Sequence, residues 1–255
     1  MKLSRKILNS KIIQRLKRNL ALKSGIYCKI KVLAPTVSEE MRTAKLLNYY
    51  GITTVIDVGA NTGQFAESLI DFGYKGKIVS FEPVESAYNS IRKRAKKYPQ
   101  WQLAERGAIG NRDGIVEINV SDDTQFSSIK KIKDEFTDKQ SAAKIVKTEL
   151  VNINKLDSLI GKYFDKNEAL FLKIDTQGFE KEVIEGASEL IKLVKGMKME
   201  IPLVNDMEIY ENVEWDIVYY INFMTQNGFK CMSIDAIGAD RKTGIVNEVD
   251  GIFFR

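Results

Sequence analysis

A chain of 255 residues with 44% apolar and 29% charged side chains has the size and balance of a single sizeable globular domain. It holds no histidine, which excludes Ser-His and Cys-His nucleophile systems and removes the commonest transition-metal ligand. Its two cysteines, Cys28 and Cys231, form no C-x-x-C pair, no apolar run is long enough to cross a bilayer, and the first residues lack the apolar core of a secretory leader; a reducing, cytoplasmic setting is expected.

Charge is unevenly spread. Residues 1–38 contain ten Lys/Arg and no acid, so within a net charge of +5 the remainder carries −5. Residues 2–22 read as a basic amphipathic helix, with Leu3, Ile7, Leu8, Ile12, Ile13, Leu16 and Leu20 recurring at three- and four-residue steps. Two readings stand for this arm: a helix docked on the domain, or a peripheral contact of residues 1–24 with the anionic inner face of the cell membrane. We divide the chain into the arm, 1–40, and one domain, 41–255.

Within the domain the pattern alternates. Glu39–Tyr50 reads as a helix, Thr54–Val58 as strand one, Phe65–Phe72 as a helix, and Lys77–Phe81 as strand two. Val84–Tyr98 follows as a helix stopped by Pro99. Trp101–Leu103 and Gly107–Ile109 bracket strand three, and Ile115–Val120 reads as an added antiparallel strand after the Asp113-Gly114 turn. Residues 121–147 are polar, with few apolar anchors, and read as a mobile insert of the lid or binding-loop kind. Strand character returns at Thr148–Ile153, then a short helix at Leu156–Phe164 and strand four at Ala169–Ile174. A helix at Phe179–Ile191, strand five at Gly196–Ile201, a helix at Val213–Gln226 and strands at Gly228–Ile234 and Gly251–Phe254 complete a three-layer α/β sandwich.

The chemistry gathers at the strand ends. Val55-Ile-Asp57-Val-Gly59-Ala-Asn61-Thr-Gly63 runs from a strand through a glycine turn into a helix, and the next strand ends in Glu82. Such a βαβ unit sets a glycine turn beside an acid that accepts hydrogen bonds from ribose hydroxyls. The spacing is not G-x-G-x-x-G: Asn61 replaces the middle glycine, and Asp57 would repel a pyrophosphate. An acid there suits an ammonium group, so the pattern favours S-adenosylmethionine over a dinucleotide. Lys173-Ile-Asp175-Thr-Gln177-Gly-Phe-Glu180 repeats the design at strand four, where Glu180 also suits a helix N-terminus, and Glu200 ends strand five. Asp175 is the first candidate for a catalytic base and Glu200 the second, with Lys173 either stabilising a developing alkoxide or pairing with Asp175. No dedicated metal cage is readable, and the acidic rim argues against nucleic acid.

Taken with Ala108-Ile-Gly110, Asp113-Gly114, Ser127-Ser128 and Glu200-Ile-Pro-Leu-Val with Tyr210-Glu211, these motifs resemble the FkbM family of S-adenosylmethionine-dependent methyltransferases from about residue 50 onward. The resemblance implies a class I Rossmann-like fold, seven strands in the order 3-2-1-4-5-7-6 with the seventh antiparallel. It implies O-methylation, here of a sugar or glycan hydroxyl, with a natural-product hydroxyl as the alternative and a non-catalytic cofactor-binding module as a more distant one. It adds Pro83 and Ala108 to Asp57, Gly59, Asn61, Gly63, Glu82 and Asp175 as cofactor-binding residues. Many members carry Glu where this chain has Gln177.

Overall fold

A computed structural model describes residues 38–255 apart from 139, 204–208, 213–214 and 240–241. Residues 1–37 of the basic arm, with Cys28, Asp206 of the loop expected after strand five, and the first residues of the helix expected from Val213 lie outside the described residues.

Ten strands are described: β1 Thr54–Val58, β2 Lys77–Phe81, β3 Trp101–Leu103, β4 Ala108–Ile109, β5 Gly114–Ser121, β6 Ile145–Asn154, β7 Leu170–Ile174, β8 Val194–Pro202, β9 Lys230–Ala239 and β10 Val246–Phe254. Seven of them form one sheet in the order β3-β2-β1-β7-β8-β10-β9. Counted along that sheet the order is 3-2-1-4-5-7-6, and only β10 runs antiparallel to its neighbours, as the resemblance implies. The central strands read as unbroken apolar runs because both their faces are covered: every residue of β1 and of β7 is buried.

The helices are α1 Glu39–Tyr49, α2 Gln64–Asp71, α3 Glu85–Ala95, α4 Asp134–Thr137, α5 Glu180–Glu185, α6 Ser188–Leu193 and α7 Ile217–Gln226. Successive strand residues face opposite sides. Val55, Ile78 and Phe171 meet Leu47 of α1, Leu69 of α2 and Ile91 of α3. Ile56, Val79 and Leu172 meet Val183 of α5, Leu190 of α6 and Tyr220 of α7. Ser38 caps α1 through its hydroxyl, and Ala87, Ile91 and Ala95 form the buried stripe of α3. Among the described residues no helix is long and apolar enough to cross a membrane.

Three features differ from the sequence reading. The helix expected over Phe179–Ile191 is two, α5 and α6. The break falls at Gly186, where a β-carbon would stand 1.9 Å from the carbonyl oxygen of Gly110, and the Asp157 carboxylate restarts the helix by accepting from the amides of Glu189 and Leu190. Leu156–Phe164 keeps only a 3₁₀ turn at Asp157–Leu159. Finally, β4, β5 and β6 make a separate small sheet, order β4-β6-β5, with its own apolar cluster of Val84, Ala108, Ile118, Val120, Val151 and Ile153. Residues 108–109 belong to that sheet and not to strand three.

The insert is anchored. It holds 3₁₀ turns at Thr124–Phe126 and Ser141–Ala143 besides α4. Its Ile132 and Ala143 bury the ring of Tyr210, and backbone bonds from Lys133 to Ile209 and from Glu211 to Lys131 tie it to the segment after β8.

Candidate active site

Strand register sets up the site. Val58 pairs with Phe81 and with Ile174, and Ile174 pairs with Met199. The next residue of each strand is therefore Glu82, Gly59, Asp175 or Glu200, four positions in one row along the carboxyl edge. Three strand spacings make this row ~14 Å long. The sheet order turns outward in both directions from β1 and β7, which is where open α/β sheets bind ligands. A cavity of about 310 Å³ lies over the row. The small sheet and residues 124–129 of the insert supply its other walls.

At the β2 end, Glu82 is buried yet lines the cavity. Its two oxygens accept from the backbone amides of Asn61 (2.7 Å) and Val84 (2.8 Å). Burial nevertheless dominates and pushes its carboxyl up to about 8. Gly59 has φ +73°, and a β-carbon on it would come within 1.7 Å of the Asp175 carbonyl oxygen. Only glycine lets these two turns touch. Asn61 also takes a positive φ, and its side-chain oxygen accepts from the Thr124 hydroxyl of the insert (2.9 Å).

Below the floor lies a buried polar chain. The indole N–H of Trp101 donates to Ser80 Oγ (2.9 Å), which donates to Asp57 Oδ2 (2.8 Å). Lys173 Nζ stands 3.2 Å from Asp57 Oδ1 and 3.5 Å from Asp175 Oδ2, and donates to the carbonyl of Gly59 at 2.8 Å. Burial pulls the Lys173 ammonium down, but Asp57 and Asp175 outweigh it and hold it above the usual lysine range.

At the β7–β8 end the acids are treated differently. Burial raises the Asp175 carboxyl, but Lys173, the Gln177 amide and Lys198 together hold it below its ordinary value. Glu200 is pushed well above its own by burial and by the like charges of Asp175, Glu248, Glu180 and Asp250. Glu180 is buried at the start of α5, where its Oε1 accepts from the Thr176 amide (2.8 Å) and the Gly178 amide (3.3 Å), holding the turn after β7.

Of the residues singled out from sequence, Gly59, Asn61, Glu82, Pro83, Ala108, Lys173, Asp175 and Glu200 line the cavity. Asp57 and Gly63 do not. Asp57 is fully buried beneath Lys173, and the α-carbon of Gly63 lies against the Trp101 ring, where a β-carbon would meet it at 2.5 Å. Lys198, Phe65, Gln64 and Phe179 also line the cavity and were not singled out. Lys198 had a signal: Lys198-x-Glu200 repeats the spacing of Lys173-x-Asp175, and the two lysines are register partners on adjacent strands. Lys198 is buried between Asp250 (2.6 Å) and Glu39 of α1 (3.3 Å), and both ammonium groups lie under 6 Å from the Phe65 ring, at 5.7 Å for Lys173 and 5.8 Å for Lys198.

Comparison with known proteins bears on this geometry. The family model described as the methyltransferase FkbM domain matches residues 57–231, well over half of the chain. No curated protein matches. Among solved structures, magnesium protoporphyrin IX methyltransferase from Synechocystis PCC 6803 aligns over 100% of this chain and 96% of its own at 11% identity and a TM-score of 0.47. Precorrin-6y C5,15-methyltransferase from Geobacter metallireducens GS-15 aligns over 84% and 88% at 10% identity and a TM-score of 0.41. An rRNA methylase from Streptococcus thermophilus aligns over 84% and 94% at 12% identity and a TM-score of 0.44. Scores this low bear on neither fold nor chemistry, which rest on the topology and the family match.

Proposed function

The chain belongs to the FkbM methyltransferase family, and from that premise we propose that it transfers the methyl group of S-adenosylmethionine to a hydroxyl oxygen of a sugar or glycan. The residues at the cavity fit that cofactor. Glu82 offers a carboxylate to a ribose diol, and apolar Val84, Ala108, Ile118 and Phe179 beside it suit a purine face. Asp175, kept ionised by Lys173, offers a fixed anion for the cationic end. When bound, the cofactor supplies an electrophilic methyl group on a sulfonium.

The chain's own residues must then position an alcohol and remove its proton. Without histidine, the proton must go to Asp, Glu, Lys, Tyr or water, and the carboxylates at the cavity are the first candidates. Glu200 carries this reading: it lines the cavity beside Gln177 and Asp175, and burial with the like charges around it raises its carboxyl above the ordinary value, which makes it the more basic of the two acids. Asp175, held low, is a weak base and a good electrostatic anchor. Lys173 donates to the Gly59 carbonyl and pairs with Asp57 and Asp175, which suits an organising role. Asp175, Gln177, Glu200, Lys198, Ser127 and Ser128 surround this end with donors and acceptors, the lining a polyhydroxylated acceptor would use.

The test is an acceptor screen with radiolabelled S-adenosylmethionine across free and lipid-linked glycans, small hydroxylated natural products, RNA and protein. Label should enter a glycan, in base-stable form as an ether, and should persist in the presence of EDTA. Glu200→Gln should lower turnover ~10²-fold or more, the usual size of a general-base loss. Label confined to RNA or protein, or full activity in Glu200→Gln, would sink the corresponding half of the reading.

A further inference from the structure

Gln177 sits between the two carboxyl groups just described. It is one of three non-glycine residues with positive φ among the described residues, at +57°. Such a backbone is costly for a residue with a β-carbon and persists only when its surroundings hold it. Here they do. The main-chain carbonyl of Gln177 accepts from the Ser128 hydroxyl of the insert (2.7 Å). Its side-chain Nε2 donates to Asp175 Oδ1 (2.7 Å) and reaches Glu200 Oε2 (3.4 Å). Its Oε1 accepts from the Tyr210 hydroxyl (2.9 Å).

A carboxamide has one donor end and one acceptor end. With carboxyl oxygens on one side, the NH₂ end must face them, and the oxygen is left for the phenol. Tyr210 is well placed to support this. Its ring is buried against Ile132 and Ala143, and its β-carbon lies 3.0 Å from where a Gly178 side chain would begin. Its hydroxyl has a second acceptor, the Phe126 carbonyl, at 3.2 Å. Every partner of that hydroxyl is an acceptor, and burial together with the surrounding carboxylates keeps the phenol protonated. The protonated phenol donates to the carboxamide oxygen, and a flip is opposed at the other end, where it would set that oxygen against Asp175 Oδ1.

We infer that Gln177 and Tyr210 are positioning residues: the chain from Tyr210 through Gln177 to Asp175 and Glu200 keeps the two carboxyl groups from sharing a proton, with Asp175 the standing anion and Glu200 the proton acceptor. The inference rests on the methyl-transfer reading for its use, but the division of roles is a property of the protein alone. Other charged groups around the pair are fixed in place. Lys173 and Lys198 favour ionised Asp175, while Glu180, Glu248 and Asp250 oppose a second charge on Glu200, and Glu248, its own carboxyl raised by burial, also hydrogen-bonds Glu200. A glutamate in place of Gln177 would add another acceptor among these acids and remove the donor that joins the pair. The insert completes the device, since Ser128 and Phe126 hold its two members from above.

Carbon-detected NMR titration of the side-chain carboxyls in the full chain reads this without any acceptor. The intact protein should show Asp175 and Glu200 titrating in separate steps. Tyr210→Phe keeps the packed ring and removes only the hydroxyl; the two steps should approach each other by roughly half a unit to one unit, the size of one neutral hydrogen bond of ~1 kcal/mol. Gln177→Ala should bring them further together, into the overlapping titration of a proton-sharing pair. Once an acceptor is in hand, Tyr210→Phe should shift the rising limb of the pH–rate profile by a like amount while KM for the cofactor stays put. Titrations that do not move in either variant overturn the positioning role even if methyl transfer is confirmed. Steps that move as expected in a protein that methylates no hydroxyl would uphold the role and defeat the transfer reading alone.

Discussion

Glu82 shows how a side chain can be read correctly in kind while its state is not. A lone acid after an apolar strand and a glycine turn points to a ribose partner. That burial pushes this carboxyl up to about 8 depends on walls contributed by other elements and is invisible in sequence. The consequence is a pH effect with a definite sign. Ribose hydroxyls donate to the carboxylate, so binding favours the ionised form, and the empty site holds its proton until the pH nears 8. Adenosine, which carries the ribose and no group titrating in this range, should bind more tightly as pH rises from 7 to 9. Calorimetry should show that slope in the intact protein and a flat profile in Glu82→Gln, and Glu82→Ala should cost roughly 1–3 kcal/mol of cofactor binding. The empty fold should show the opposite trend. Its folded-state value lies above the ordinary 4.5, so this residue's contribution to stability is lost as pH rises toward about 8. Gly63 and Asp57 were legible as members of the motif, but not as what they are in space: one packs on Trp101 and the other sits beneath Lys173.

The strands and their order were legible because a fully buried parallel strand leaves an unbroken apolar run between turn signals. The small sheet was only half legible, since pairing between β5 and β6 crosses the insert and no local pattern records a partner so far along the chain. The break between α5 and α6 was not legible at all, because it is enforced by the Gly110 backbone, 76 residues before Gly186. The β1 and β7 turns illustrate the same coupling and yield two tests. Gly59→Ala places a methyl group on the Asp175 carbonyl, so it should cost on the order of 3 kcal/mol by overpacking and backbone strain, and cofactor binding should fall with it. Lys173→Met leaves Asp57 buried without its countercharge and should destabilise the protein by about 3–5 kcal/mol. Adding Asp57→Asn to Lys173→Met should restore most of that loss in urea titrations. A double variant no more stable than the single one would mean that Lys173 matters for its packing on Phe65 and not for its charge.

Helix α1 begins at Glu39, and Glu39 reaches Lys198, a wall of the cavity at the β8 end. Ten cationic side chains with no acid before residue 39, beside an apolar stripe from Leu3 to Leu20, have the composition of an electrostatic anchor on an anionic surface. Each Lys or Arg near such a surface contributes ~1 kcal/mol, and the effect fades beyond a Debye length. Removal of residues 1–24 should leave turnover on a soluble acceptor nearly intact and abolish binding to vesicles containing anionic lipid. The full chain should bind those vesicles at low salt and release them at high salt. A helix docked on the domain gives the reverse pattern: the shortened chain aggregates or loses cofactor affinity, and the full chain ignores vesicles at any salt. Co-sedimentation of both chains at two salt concentrations separates the two, and cofactor calorimetry on the shortened chain shows whether the domain stands without its arm.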